Sequence, residues 1–365
     1  MQVIINKDIV LPAVYGGAFL GGGGGGWIED GIELANIAIA MGTPQLVDIS
    51  ELPSDSYICT VSLVGAPAAS NRCVNPMDYV NALKNLIKNT DMNILGVISN
   101  ENGAVATING WIQSAILGIP VVDAPSNGRA HPTGVMGSMM LNKSKTFISY
   151  QSAVGGNKDK GKYVETFVKG SVSTTSSIIR QTSEHAGGLV AVARNPVKAN
   201  YIKYHGAIGA VNQAIKIGKA FLDKSNKGAI SMIEAVTNVA GGEIIDKGIL
   251  RDKKLKTHKG FDIGEIYIVN KKKEYIIDVW NEYMTLEYNG ERLATFPDLI
   301  MLMNMDTGKP IISAETSVGT RVSIIKVPMD KLILGSGMKY RDNMVEVEKV
   351  LNKDICRYNK NLFIE

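Results

Sequence analysis

The sequence predicts an α/β fold, with an N-terminal layered α/β domain and a C-terminal mainly-β domain, and three observations point there. Through the first half, apolar runs that read as buried strands alternate with amphipathic helical stretches, and residues 92–99, 105–117 and 119–122 have the length of a right-handed βαβ unit. Beyond residue 242 the texture changes to short strands separated by turn signals such as Asn289-Gly290. At 365 residues the chain is also too long for one compact module. The expected division is 1–166 and 167–365, the latter with a helical segment at 167–241 and a mainly-β part at 242–365.

In chain order, residues 9–20 are apolar and small and read as a helix. Six glycines follow at 21–26, then a helix over 29–41. Strands are expected at 46–48 and 57–64, the second leaving through Gly65-Ala66-Pro67 toward Ser70, Asn71, Arg72 and Cys73. An amphipathic helix at 78–88 leads into the strand at 92–99. Gly118 supplies the left-handed stop of the 105–117 helix. After 147–150, helical patterns run over 164–180 and 206–222 with a strand-like LVAVA at 189–193 between them. Glu184 and His185 suit a helix C-terminus. Further strands are expected at 265–270, 275–280, 284–288, 321–327 and 331–334. Lys-rich clusters at 251–256 and 271–273 read as solvated hairpin tips, Pro297-Asp298 as a bend and 306–308 as a turn. With no repeat and no low-complexity linker, the two parts should pack firmly on each other.

Composition narrows the function. Hydrophobic content of 45%, charged content of 20% and a formal charge of +4 describe an ordinary globular chain. No aromatic-interleaved basic stripe supports nucleic-acid binding. Cys59, Cys73 and Cys356 are widely spaced, which argues against a disulfide framework or a zinc cluster. There is no signal-peptide pattern and no apolar run long enough to span a membrane. A cytoplasmic homo-oligomer without cofactor or metal, acting on a small molecule, is the expectation.

Candidate chemistry gathers after the strand at 119–122. That strand delivers Asp123, and the loop beyond holds Asn127, Gly128, Arg129 and His131 between Pro125 and Pro132. Ligands of open α/β sheets sit beyond the carboxyl ends of the strands. Glu101 follows the neighbouring strand, so Glu101 and Asp123 are candidates for an acid/base pair, with turn or helix capping as the alternative for each. Arg129 and Asn127 would hold substrate. His131, with an ordinary pKa of about 6.5, would protonate a leaving group. Gly22, Gly23, Gly24 and Gly25 offer backbone donors to a developing anion, or serve close packing alone. A phosphate fits less well, because Glu29 and Asp30 occupy the next helix start. Cys73 reads as a partly buried thiol rather than a nucleophile. There is no GxSxG elbow, Cys–His signature or HExxH helix.

The segments GGAFLGGGGGG (16–26), VGAP (64–67), ILGIPVVDAPSNGRAHP (116–132), GFDIGEIYI (260–268), NEYM (281–284), ATFPDLIMLMNMDTGKPI (294–311) and VGTRVSIIKVP (318–328) together resemble the S-methyl thiohydantoin desulfurase family. The matches run in order over nearly the whole chain. The resemblance implies an N-terminal three-layer α/β domain with a C-terminal mainly-β swivelling-type domain, and removal of the sulfur substituent from an S-methylated thiohydantoin ring, leaving a hydantoin. It also implies a hydantoinase- or oxoprolinase-like protein as a partner. Relatives more usually carry Phe where this chain has His131 and Glu where it has Thr133. The leading expectation is a hydrolase of small cyclic amides or ureides, with Asp123 or Glu101 as the base. The alternative is a non-catalytic partner or ligand-sensing subunit of a hydantoinase/oxoprolinase-like system.

Overall fold

The computed structural model describes residues 3–66, 69–258 and 261–359, so Pro67 of the expected strand exit and Gly260 lie outside the described residues. The first part runs β1 (Val3–Ile4), α1 (Lys7–Leu20), α2 (Ile28–Met41), β2 (Gln45–Val47), β3 (Tyr57–Gly65), α3 (Pro76–Thr90), β4 (Ile94–Ser99), α4 (Trp111–Leu117), β5 (Val121–Val122), β6 (Ser149–Gly155), β7 (Val164–Gly170), α5 (Val172–His185) and β8 (Leu189–Lys198). It continues through α6 (Ala199–His205), α7 (Ala210–Leu222) and α8 (Ala229–Ala240). The remainder is β9 (Glu243–His258), β10 (Phe261–Asn270), β11 (Lys273–Trp280), β12 (Glu282–Tyr288), β13 (Glu291–Thr295), β14 (Leu299–Asn304), β15 (Arg321–Val327) and α9 (Arg341–Leu351).

Eight strands form the first sheet in the order β1-β2-β5-β4-β3-β8-β6-β7. Its centre, β2-β5-β4-β3, is parallel, and β8, β6 and β7 extend it antiparallel. Val14, Val61, Leu83, Val97 and Trp111 make the core under α1 to α4. The other face is covered by α5 and α6, through Ile179 against Val190 and Val192 and through Ile202 near Ile58 and Val122. This is the expected three-layer α/β arrangement. The second sheet, β13-β12-β11-β10-β9-β15-β14, is wholly antiparallel and curls so that β14 contacts β12 and β13. Trp280, Tyr283, Phe296, Leu302 and Ile324 fill it.

The two sheets are bridged by α1 and α7, which cross in backbone contact and each contribute to both cores. A Cβ on Gly16 would lie 1.7 Å from the Ala214 carbonyl oxygen, and one on Gly218 would lie 1.8 Å from that of Pro12. Only glycine permits this crossing. Val211 and Ile215 of α7 face the first core, whereas Ile217 and Phe221 join Phe19 and Leu20 in the second.

Several expectations need correction. The stretch 164–180 is not one helix: Val164–Gly170 is β7, and Ser171 caps α5 by accepting from the Thr174 amide. Val164, Thr166 and Val168 alternate with Glu165, Phe167 and Lys169, a period of two that the apolar content of the next turn masked. The 105–117 helix is interrupted. A 3₁₀ turn (Ala106–Ile108) ends at Asn109, and Gly110 takes φ 99° before α4 begins. Residues 331–334 form no strand. The cluster at 251–256 lies along β9 rather than at a tip, while Lys271 (φ 54°) does sit in the β10–β11 turn. By strand pairing, the expected boundary at 166/167 cuts β7, and β8 returns to the interior of the first sheet between β3 and β6. Nothing local in LVAVA announces which sheet it joins.

Gly218→Ala is expected to destabilise the protein by about 1–3 kcal/mol or more, since the methyl meets backbone that must move. Chemical denaturation monitored by tryptophan fluorescence checks this; unchanged stability would contradict the crossing.

Candidate functional site

A cavity of about 1190 Å³ lies between the two sheets, and Gly23, Asn100, Glu101, His131, Arg194 and Glu282 are among its lining. Glu101 follows β4 at its carboxyl end, where α/β ligand sites form. Backbone bonds hold its loop to the one after β5: the Ser126 amide donates to the Ser99 carbonyl (2.9 Å) and the Asn127 amide to that of Asn100 (3.1 Å). Arg194 projects from β8, and Glu282 opens β12 directly after Asn281, whose φ of 58° turns the chain.

Glu101 Oε2 accepts from the His131 amide at 3.1 Å and lies 3.3 Å from His131 Nε2. Burial raises the Glu101 carboxyl to about 7, against the opposing pull of the His131 amide, Arg194 and Arg129. Glu282 stands well above the usual carboxylate range, first from burial and then from the Glu101 charge. Arg194 is 3% exposed, and its buried Nε has no hydrogen-bond partner among the described residues. Burial brings it down to about 10, still a cation at neutral pH. The centre therefore offers a carboxyl that ionises near neutrality, a second that stays protonated and a buried cation. Among the described residues no group of three or more His, Cys, Asp and Glu side chains is placed to hold a metal ion.

The sequence-derived candidates divide. Glu101 and His131 line the cavity, but His131 is pushed down to about 3 by burial and by Arg194, so it is neutral and not the acid expected near pH 6.5. Its 3.3 Å contact with Glu101 is accordingly not an ion pair. Asp123 ends β5 but turns away: it accepts from the Val211 amide (2.7 Å), the Asn212 amide (3.4 Å) and Asn212 Nδ2 (2.6 Å) at the start of α7. It lines only a separate space of about 60 Å³. The capping alternative describes it, and Glu282 takes the place expected for it beside Glu101. Arg129 is fully buried outside the cavity lining, donating to the carbonyls of Ala130 (3.2 Å), Pro297 (3.2 Å) and Asp298 and stacking 4.6 Å over Phe296. It fastens the loop to the second sheet. Asn127, also outside the lining, donates to the Met136 carbonyl at 3.3 Å.

Gly22 is packed away from the cavity, and its carbonyl accepts from the Tyr283 amide at 2.7 Å. Gly23, Gly24, Gly25 and Gly26 form cavity wall. The amides of Gly23, Gly25 and Gly26 have no acceptor among the described residues. Sequence reasoning missed Arg194 and Glu282. A charge ending the apolar strand LVAVA marks the first, and NEYM, a segment that carried the family resemblance, contains the second.

Two family profiles match: S-Me-THD-like, N-terminal domain, over residues 11–160, and S-Me-THD-like, C-terminal domain, over residues 171–337. The chain belongs to the S-Me-THD-like family. β8, within the C-terminal match, completes the first sheet. A crystal structure of a protein from Chromobacterium violaceum is 19% identical over 96% of both chains with a TM-score of 0.73, a shared fold for this S-Me-THD-like chain. Comparison with curated proteins returned no match. Among the described residues, no helix is long and apolar enough to cross a membrane.

The Glu101 shift makes stability pH-dependent. Its folded pKa of about 7 exceeds the ordinary 4.5, so the native state binds more protons between those values. The stability this contributes is complete below pH 4.5 and is lost as pH rises through about 7. Glu101→Gln should therefore gain on the order of 2–3 kcal/mol over the wild type at pH 8 and nothing at pH 4.5. Paired urea titrations at both pH values test it; equal differences would contradict the shift.

Proposed function

We propose that this protein is a hydrolase of small cyclic amides and ureides, with an S-methyl thiohydantoin-like ring as substrate. The observation that carries the reading is Glu101 and Glu282, two buried carboxyls shifted to different degrees, in a cavity shared with Arg194, whose buried Nε is without a partner. Such a pair supplies a base and an acid in one site.

Arg194 holds a ring carbonyl oxygen through its fork of donors. Water forms a C–O bond at the sulfur-bearing carbon while the Glu101 carboxylate takes one of its protons. The C=N pair moves to the ring nitrogen, which takes the proton of Glu282. Collapse re-forms C=O and breaks C–S. Methanethiolate leaves with the proton held by Glu101, and the remaining hydroxyl proton returns to Glu282, so both residues regain their starting states. Neutral His131 fixes the Glu101 carboxylate by its amide. The glycine amides face the same space as donors for charge on the ring.

Release of methanethiol from an S-methyl thiohydantoin, followed with a thiol reagent, tests the reading. Wild type should turn over, and Glu101→Gln and Glu282→Gln should each lose about 10²- to 10⁴-fold. The acidic limb of kcat/KM should rise through about pH 7, as Glu101 becomes carboxylate. Binding without turnover by wild type would leave a ligand-sensing subunit and overturn hydrolysis.

A further inference from the structure

The chemical centre occupies only one end of the cavity. Ligand pockets for drug-sized molecules run to about 300–1,000 Å³, and this cavity of about 1190 Å³ is larger than a bare five-membered ring needs. From the glycine run, its wall continues along one face of α2, through Trp27, Leu34 and Ile37. Across from them stand Val74, Pro76 and Tyr79, at and before the start of α3. These six are apolar or aromatic, and Tyr79 is buried. Asp30, Glu33 and Arg72 line the same stretch. Arg72 pairs with Asp30 at 2.5 Å and lies 5.7 Å from the Trp27 ring centre, and Glu33 is exposed to solvent.

We propose that this arm binds an apolar substituent, branched or aromatic, carried on the ring carbon remote from the sulfur. The inference rests on the hydrolase reading for the position of the ring at Glu101 and Arg194. Continuity makes the assignment: Trp27 directly follows the glycines that wall the chemical centre, so a ring seated there projects its free carbon into the arm. An apolar group transferred from water to these walls gains affinity in proportion to the area buried. The polar end holds the ring and the arm selects among rings.

Isothermal titration of the full-length protein with hydantoin, 5-isobutylhydantoin and 5-benzylhydantoin tests this without requiring turnover. Both substituted rings should bind about tenfold or more tighter than hydantoin. Leu34→Gln, a half-buried helical position, should bring that ratio toward one. Cys73, which lines the arm and is half-buried while Cys59 and Cys356 are buried, gives a second readout. Its alkylation by a maleimide should be slowed by 5-benzylhydantoin and not by hydantoin. Equal affinity of wild type for all three rings would overturn the arm and leave the ring site standing. No binding of any of the three would overturn both.

Discussion

The approach of the glycine run to β12 is the contact on which the site depends. The Gly22 carbonyl takes the Tyr283 amide, and the Gly23 carbonyl takes that of Ser313 at 2.8 Å. A Cβ on Gly24 would sit 2.1 Å from Glu282 Oε1, and one on Gly25 would sit 2.4 Å from the Gly103 Cα. Side chains here would hold the second sheet away from the first. Glu282 would then lose its place across the cavity from Glu101, and neither carboxyl would remain as deeply desolvated. The backbone-tight α1–α7 crossing sets the same distance from the other side. Six consecutive glycines cost conformational entropy, and what they provide is proximity.

That proximity explains the division of charge. Two carboxyls facing one space cannot both ionise easily, and burial adds to the effect. Arg129 opposes the shift at both carboxyls, whereas Arg194 favours Glu101, whose oxygen already accepts the His131 amide. Glu282 is therefore the one that keeps its proton. His131 is sealed, neutral and useful through its backbone. Arg129, the most prominent cation of the loop in sequence, is used to fasten that loop to Pro297 and Asp298 of the second part.

Much of this was legible in the sequence, and the limits have physical reasons. Strand–helix–strand periodicity located β4 and β5, and their parallel pairing through Val97 and Val121 is the predicted βαβ geometry. Asn289 and Gly290, at φ 50° and 76°, make the expected hairpin turn. Glu101 lines the cavity as the rule for a carboxylate at a strand's carboxyl end leads one to expect. Asp123 satisfied the same rule, and only the position of α7, 88 residues on, decides that its oxygens cap a helix. Arg194 and Glu282 lie far from the loop in sequence and reach it through sheet order and domain packing, neither of which periodicity encodes. The 164–180 stretch misled because a short strand and the helix after it share their apolar content.

The central claim is that Glu101 is a carboxylic acid at mildly acidic pH and a carboxylate above neutrality. Infrared difference spectroscopy between wild type and Glu101→Gln, titrated from pH 4.5 to 9, measures this directly. The account predicts a protonated-carboxyl C=O band that disappears with a midpoint at about 7. A band already lost by pH 5.5, the behaviour of a solvated glutamate, would contradict it.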